Sequence, residues 1–467
     1  MKKFGVLSIW MLALLALAGC GKSSLNFPPD DTRVRLDSTN LPIVWIEVGG
    51  DSIVRGTRIA GSMKIIYNGE GRLNYADTLA HQGQHVDYAG PIAIRYRGNS
   101  TYNESPKKAY SLRTLAEPLR HGSAKKQKVS LLGMGKDNNW ALLAPYADKS
   151  LMRELITRQL TTPWMEFTPQ GRLCEVILDG TYYGVYILSE VVSKGKQRLN
   201  LHSPGDEGDA LTGDYLLEVD HKDEQYYVSK HRPLTSDGQE IEDRDILIHY
   251  KSPDLDKLSD EQLQYINGRV DAMEASFEQG DFRRYIDVAS FIDYQLMTEL
   301  CHNADGYRLS GKFYKRRDSV DPRFKMVLWD TDLAYGNCKY NQGWRTDTWI
   351  YCNNDSMYQK GEKRLIPCWW YWLNRDDAYT AQFKQRWAQL RATHLSNAKI
   401  MATIDSLSLM LTAHGAEQRN TQAWPRWGVP VWPNYYLASN HADEVAYIKR
   451  WLTERLAWMD ERLLDAQ

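Results

Sequence analysis

Three aspartates in the middle of the chain carry the clearest chemical signal. Asp305 lies in His302-Asn303-Ala304-Asp305-Gly306, and Asp330 and Asp332 flank a threonine in Trp329-Asp330-Thr331-Asp332. A carboxylate held in a loop can orient a hydroxyl nucleophile or accept its proton, and a second carboxylate can give a hard divalent cation the oxygen ligands it needs. That pairing suits phosphoryl transfer, which is mostly positioning and charge neutralisation. Ser310, five residues after Asp305, adds an oxygen where a further metal ligand is required. A hydrolase with Asp305 and Asp330 as its acid and base is a competing chemistry.

These residues depend on the elements around them. Ser290 followed by Asp293 reads as a capping pattern opening a helix over 290–302, with Ile292, Leu296 and Leu300 on one face. Asp305 then falls in the loop after the helix. A hairpin of strands 312–316 and 324–329, turning at Asp321-Pro322, delivers Asp330 at its end. Upstream, a strand over 41–48 begins a β-rich stretch that runs to Arg113. A helix over 149–160 follows, and then a hairpin of strands 174–178 and 182–189 around Asp179-Gly180, the turn chemistry of type I′. A short strand over 213–220 precedes helical patterning beyond Ser259. Ile400, Ile404, Leu407 and Leu411 keep helical spacing, as do Val445, Ile448, Leu452, Leu456, Met459 and Leu463. β-rich first and helical later, the chain predicts an α+β fold of two lobes with a cleft between them.

Composition narrows the partners. With 58 Lys+Arg against 59 Asp+Glu in 467 residues, and no basic block, nucleic acid is not the expected partner. Lys2 and Lys3 precede an apolar run from Phe4 to Ala18 that ends in Leu17-Ala18-Gly19-Cys20. The run is short for a spanning helix and resembles a lipoprotein signal, so 1–19 reads as a signal peptide and Cys20 as the lipidation site. Residues 20–40, polar with paired prolines, read as a tether. The expected location is extracytoplasmic, on a bacterial membrane facing the periplasm or cell surface, with membrane contact through the lipid anchor only. Five further cysteines would then meet an oxidising compartment, and a disulfide among Cys338, Cys352 and Cys368 is plausible.

The N-terminal half supplies partners in the order that protein kinases use. A strand bears Lys107 and Lys108, a helix bears Arg153 and Glu154, and a hairpin ends at Glu190, where a hinge would meet nucleotide. Neighbouring strand residues face opposite ways, and Lys108 shares its face with Tyr110 and Leu112, which makes it the chosen cleft lysine. Arg97-Gly98-Asn99-Ser100 is a turn carrying a cation and backbone donors. The hydrolase alternative gives this series no role.

Over roughly residues 41–340 the chain resembles the CotH kinase family, atypical kinases named for a spore-coat protein. The motifs are IRYRGNSTYNESPKKAYSLR (94–113), YADKSLMRELI (146–156), VILDGTYYGVYILSE (176–190), GDYLLEVD (213–220), NADGYRLSGKFYKR (303–316) and MVLWDTDLAYGN (326–337). The resemblance implies ATP- and Mg²⁺-dependent phosphorylation of protein Ser/Thr in a kinase-like two-lobed fold, a β-rich N-lobe on a helical C-lobe. It implies Asp305 as the catalytic residue and Asp330, Asp332 and Ser310 as metal ligands. It implies Lys108, Arg97, Arg153 and Glu190 as nucleotide contacts. The domain is expected over 41–395, with 396–467 a helical extension on the C-lobe. The chain departs from typical protein kinases in having no glycine-rich loop and in placing Ser310 where they have Asn. An alternative is a non-catalytic cell-surface module binding a glycan or protein through Trp369, Trp370, Trp372, Trp424, Trp427 and Trp432.

Overall fold

The computed structural model describes residues 34–222 and 226–464. Strands Ile43–Glu47, Ile59–Ile66, Val86–Arg97, Ala109–Thr114, Asn139–Leu143, Gly171–Leu178 and Thr181–Ser189 form a closed seven-stranded barrel. Ile43–Glu47 closes it by pairing in parallel with Gly171–Leu178, Val44 opposite Val176. Alternate residues of successive strands fill the interior: Val44 and Ile46, Ile92 and Ile94, Tyr110 and Leu112, Trp140 and Leu142 are all buried together. Asp179 and Gly180 both adopt positive φ, at 44° and 75°, as a type I′ turn between the last two strands requires.

A second sheet is antiparallel throughout, in the order Tyr226–Val228, Leu247–Ser252, Tyr215–Val219, Gly311–Lys315, Phe324–Val327. The expected hairpin supplies two of its strands. Tyr226–Val228 and Leu247–Ser252 were not foreseen by the sequence pattern. The sheet packs on an aromatic core in which Phe313 meets Phe324 and Trp369, Trp369 stacks on Phe277, and Trp370 meets Tyr294 and Tyr307. The helix Asp260–Gln279 opens with a full capping box, Ser259 with Gln262.

The helix that leads to Asp305 spans Val288–Cys301. Its cap is Asp287, whose side chain accepts from Ser290 N, rather than Ser290 itself. The chain turns earlier because Asp287 stands in extended conformation at φ −78° and ψ 99°, where its carboxylate reaches the first free amides. At the far end, the buried Glu299 pairs with Arg455 at 3.2 Å and accepts from the backbone of Ile350 and Tyr351. This fixes the helix exit against the C-terminal helix His441–Leu463.

The α+β class is as expected, and the β-rich part is built around a closed barrel. The C-terminal segment also reaches further than expected. The helix Ala416–Ala423 lies on the barrel strand Thr181–Ser189, where Asn420 Oδ1 accepts from Val185 N at 3.0 Å, and Arg419 pairs with Glu175 of the neighbouring strand at 2.7 Å. Cys174, Cys301, Cys338, Cys352 and Cys368 are free thiols, so the plausible disulfide is not formed; Cys338 and Cys352 each donate to a local carbonyl. No helix among the described residues is long and apolar enough to cross a membrane. Cys20 and the expected signal segment, 1–19, lie outside the described residues.

Candidate active site

A cleft of about 380 Å³ opens where the end of the barrel faces the second sheet and the loops beyond it. The barrel contributes the turn Arg97–Ser105 and the segment Leu143–Asp148; the other wall contributes Glu218, Asp220, Lys251, Asp305, Ser310, Lys312, Asp330 and Asp332. Gly98 makes the barrel turn possible, since its φ of 94° suits only glycine and a Cβ there would collide with Thr101.

Asp305 is held from both sides. Arg308, one turn further along the chain, bonds Oδ1 at 2.6 Å, and the Tyr340 hydroxyl donates to Oδ2 at 2.9 Å. Arg308 is itself buried and pairs also with Glu362. Asp305 therefore carries its charge against a fixed cation and points in a fixed direction.

Asp330 and Asp332 are differently placed. Asp330 sits in the left-handed region at φ 65°, as does Ser310 at 54°, and Asn303 Nδ2 steadies the first by donating to its carbonyl at 2.9 Å. The Ser310 hydroxyl donates to Asp330 Oδ2 at 3.0 Å. Asn337 Nδ2 donates to the Asp332 carbonyl at 3.0 Å, and the Asp332 carboxylate receives no hydrogen bond among the described residues. Its carboxyl is pushed well above the usual range by burial and then by Asp330; that of Asp330 is raised by burial and then by Glu154. Both keep surface open to the cleft while protein encloses them on the remaining sides, so they are desolvated without being sealed.

Glu154 is the residue that sequence reasoning named and passed over for its neighbour. Its Oε2 accepts from Thr331 N at 2.6 Å and Thr331 Oγ1 at 2.9 Å, and its Oε1 binds Arg158. It thus grips the residue between Asp330 and Asp332. Arg153 lies beneath the cleft, buried, bonding Asp148 and Glu444 at 2.7 Å each and donating to Ala334 O. It braces the backbone after Asp332 and does not line the cleft.

Arg97 does line it, over the ring of Trp329 at 5.4 Å. Lys108 does not. Tyr110 and Leu112 on its face point into the barrel, so the Lys108 ammonium leaves past the barrel end and is captured by the carbonyls of Tyr102 and Ser105 at 2.5 and 2.7 Å. Lys107, on the outer face, bonds Asn420 and Val185 O beneath the Ala416–Ala423 helix. Glu190 is also elsewhere. It accepts from Gly135 N and Gln170 N and pairs with Arg198 at 2.9 Å, tying two loops to the barrel rim instead of forming a hinge.

The cations that do face the cleft from the second sheet are Lys312 and Lys251, both paired with the buried Glu218. Burial works against Glu218, but the two lysines outweigh it and bring its carboxyl down to about 2. Asp220, two residues on, is pushed up to about 7 by burial and by Glu218, which outweigh the His221 amide and the same two lysines. The quoted strand motif contained both acids, but their orientation depends on strands the pattern did not reveal.

Among the described residues no group of three or more His, Cys, Asp and Glu side chains could hold a metal ion. Asp330 and Asp332 nevertheless fit a Mg²⁺ ion that takes its remaining ligands from water and phosphate, the usual arrangement for that cation. Their donors are hard oxygens, and their mutual repulsion is what a dication relieves.

Of the six tryptophans considered as a ligand platform, Trp369, Trp370 and Trp424 are buried in the core, and Trp432 is exposed at the cleft.

Fold and cleft together define an α+β protein in which one carboxylate with a bound cation faces two carboxylates without one. The model of the CotH kinase protein family matches residues 94–459, and the chain belongs to that family. A comparison with curated proteins returned no match.

Proposed function

We propose that the protein is a kinase that transfers the γ-phosphate of ATP to serine or threonine hydroxyls of a protein, in a two-lobed kinase-like arrangement of the barrel and the second sheet. The observation that carries this reading is the shared cleft: Asp305, oriented by Arg308 and Tyr340, faces Asp330 and Asp332, which have a deficit of positive charge. Asp305 holds the acceptor hydroxyl and takes its proton at Oδ1 or Oδ2 as attack proceeds. Asp330 and Asp332, with Ser310 beside Asp330, would hold Mg²⁺, which when bound neutralises charge on the transferring phosphoryl group. Arg97, above Trp329, presents a cation to the phosphate side of the cleft. Glu154 keeps Thr331 fixed, so the two metal-side carboxylates stay in register. Arg153 braces the same segment from below.

The protein acts outside the cytoplasm on this reading, tethered through Cys20. A palmitate label present on wild type and absent from Cys20→Ser checks the anchor. For the activity, purified protein is incubated with γ-labelled ATP, Mg²⁺ and acceptor proteins. Label on serine or threonine, lost in Asp305→Asn, supports the kinase; equal label in both, or none in wild type, rejects it. The binding-module alternative has less support, because three of its six rings are core residues.

A further inference from the structure

Residues 428–438 form a closed loop whose ends meet, Gly428 N donating to Ala438 O at 3.0 Å. Compact loops of this kind, packed on their own base, are frequently functional. The loop is fastened to both sides of the cleft. Lys149 donates to Val429 O at 2.6 Å and Asn434 to Ala147 O at 2.7 Å on the barrel side, while Lys339 N donates to Pro433 O at 2.9 Å on the Asp305 side. It is a rigid element, not a loose one.

Its outward face is unusually apolar. Val429, Trp432, Tyr435 and Leu437 are between 44% and 50% exposed, and they account for four of the twelve exposed large apolar side chains among the described residues, all within nine positions. Scattered apolar residues need no explanation, but a cluster does. The cluster is also continuous with the catalytic machinery. Trp432 lines the cleft and stacks on Tyr340 at 5.8 Å, and Tyr340 is the residue whose hydroxyl holds Asp305. Further out, Tyr435 stacks on Trp344 at 5.2 Å.

We propose that the 428–438 loop is the acceptor-docking surface: it binds a polypeptide segment that carries apolar or aromatic side chains near the serine or threonine presented to Asp305. This rests on the kinase reading above for the identity of the reacting residue. Continuity with Asp305 places the occupant's hydroxyl side at the cleft. The aliphatic character of Val429 and Leu437 favours apolar side chains over sugar rings, which need polar donors and acceptors beside each stacking platform. The surface sets substrate choice by burying side chains that a polar peptide lacks.

The test uses two labelled peptides with a central serine, one with Leu and Phe at positions on both sides and one with Asn and Gln in their place. Anisotropy measures binding to the intact protein, and phosphate transfer is followed in parallel. Wild type is expected to bind the apolar peptide about ten- to a hundredfold more tightly, the worth of one buried large side chain. Tyr435→Ser with Leu437→Ser is expected to abolish that preference, while Leu409→Ser, exposed on a distant helix, keeps it. Val429→Ser alone serves as a milder replacement if the double variant does not fold. Equal binding of both peptides by wild type, or a preference untouched by the loop variants, overturns the proposal. So does an oligosaccharide, or a second copy of the chain in sedimentation, whose binding the same variants remove in the peptide's stead. A retained apolar preference with no phosphate transferred by wild type leaves the docking surface standing and rejects the kinase reading instead.

Discussion

The Asp305 carboxylate receives Arg308 on one oxygen and Tyr340 on the other, whereas the Asp330 carboxylate receives only Ser310 and the Asp332 carboxylate receives no donor among the described residues. The same side-chain chemistry has thus been placed in one cleft in two electrostatic states. The Asp305 loop brings its own countercharge, so the carboxylate is ready to orient a hydroxyl. The 329–333 segment has no ion-pair partner of its own: Arg97, over Trp329, offsets the Asp330 charge only in part, and burial still raises both of its carboxyls. What separates the two regions is how an arginine is held: Arg308 makes a direct ion pair on the Asp305 turn, while near the other segment Arg158 is taken up by Glu154 and Arg97 lies over Trp329.

The sharpest way to break this contrast is to exchange the charges. Asp330→Asn should lower phosphate transfer about 10³-fold or more by removing a cation ligand. It should also raise the melting temperature of the metal-free protein, because it relieves repulsion with Asp332. Asp305→Asn should cost about 10²-fold or more in turnover and lower the melting temperature, since Arg308 keeps only Glu362. Differential scanning calorimetry without metal compares the signs. Two shifts of the same sign would erase the distinction.

Tyr340→Phe is a gentler probe of the Asp305 side. Loss of one hydrogen bond to a charged group should reduce turnover by about tenfold, with nucleotide affinity unchanged in a titration. A fall in nucleotide affinity instead would move Tyr340 to the metal side of the comparison.

Much of this contrast could be read from the chain. Asp305, Ser310, Asp330 and Asp332 are fixed by local order, a loop after a helix and a hairpin end, and these features survive folding with shifts of a residue or two. Arg97 was also reachable, because its turn follows a strand. Lys108, Arg153 and Glu190 were not, since their directions depend on closure of the barrel, and that closure pairs Ile43–Glu47 with Gly171–Leu178 far along the chain. Strand alternation separates Lys107 from Lys108 but does not say which face lies inside. Glu218, Asp220, Lys251 and Lys312 were hidden for a related reason: they meet on a sheet two of whose strands the pattern did not reveal.

The second sheet offers a smaller version of the same contrast, readable by pH. Glu218, brought down to about 2 by its lysines, contributes stability that is complete above the ordinary glutamate range and lost as pH falls toward 2. Asp220, raised to about 7, does the opposite. Its burial costs nothing below the ordinary aspartate range, and stability declines as pH rises from about 4 to about 7. Asp220→Asn should flatten that decline and stabilise the protein at pH 8 by about 1–2 kcal/mol. Urea unfolding at pH 5 and pH 8 gives the slope, and an unchanged slope would remove Asp220 from the comparison.

The division of labour between the two aspartate regions is tested most directly by calorimetric titration of Mg²⁺ and a non-hydrolysable ATP analogue into wild type, Asp305→Asn and Asp330→Asn. The account predicts that Asp305→Asn binds within about threefold of wild type and Asp330→Asn at least about tenfold more weakly, a difference of about 1.4 kcal/mol or more. Equal affinity in the two variants, or a greater loss in Asp305→Asn, would contradict it.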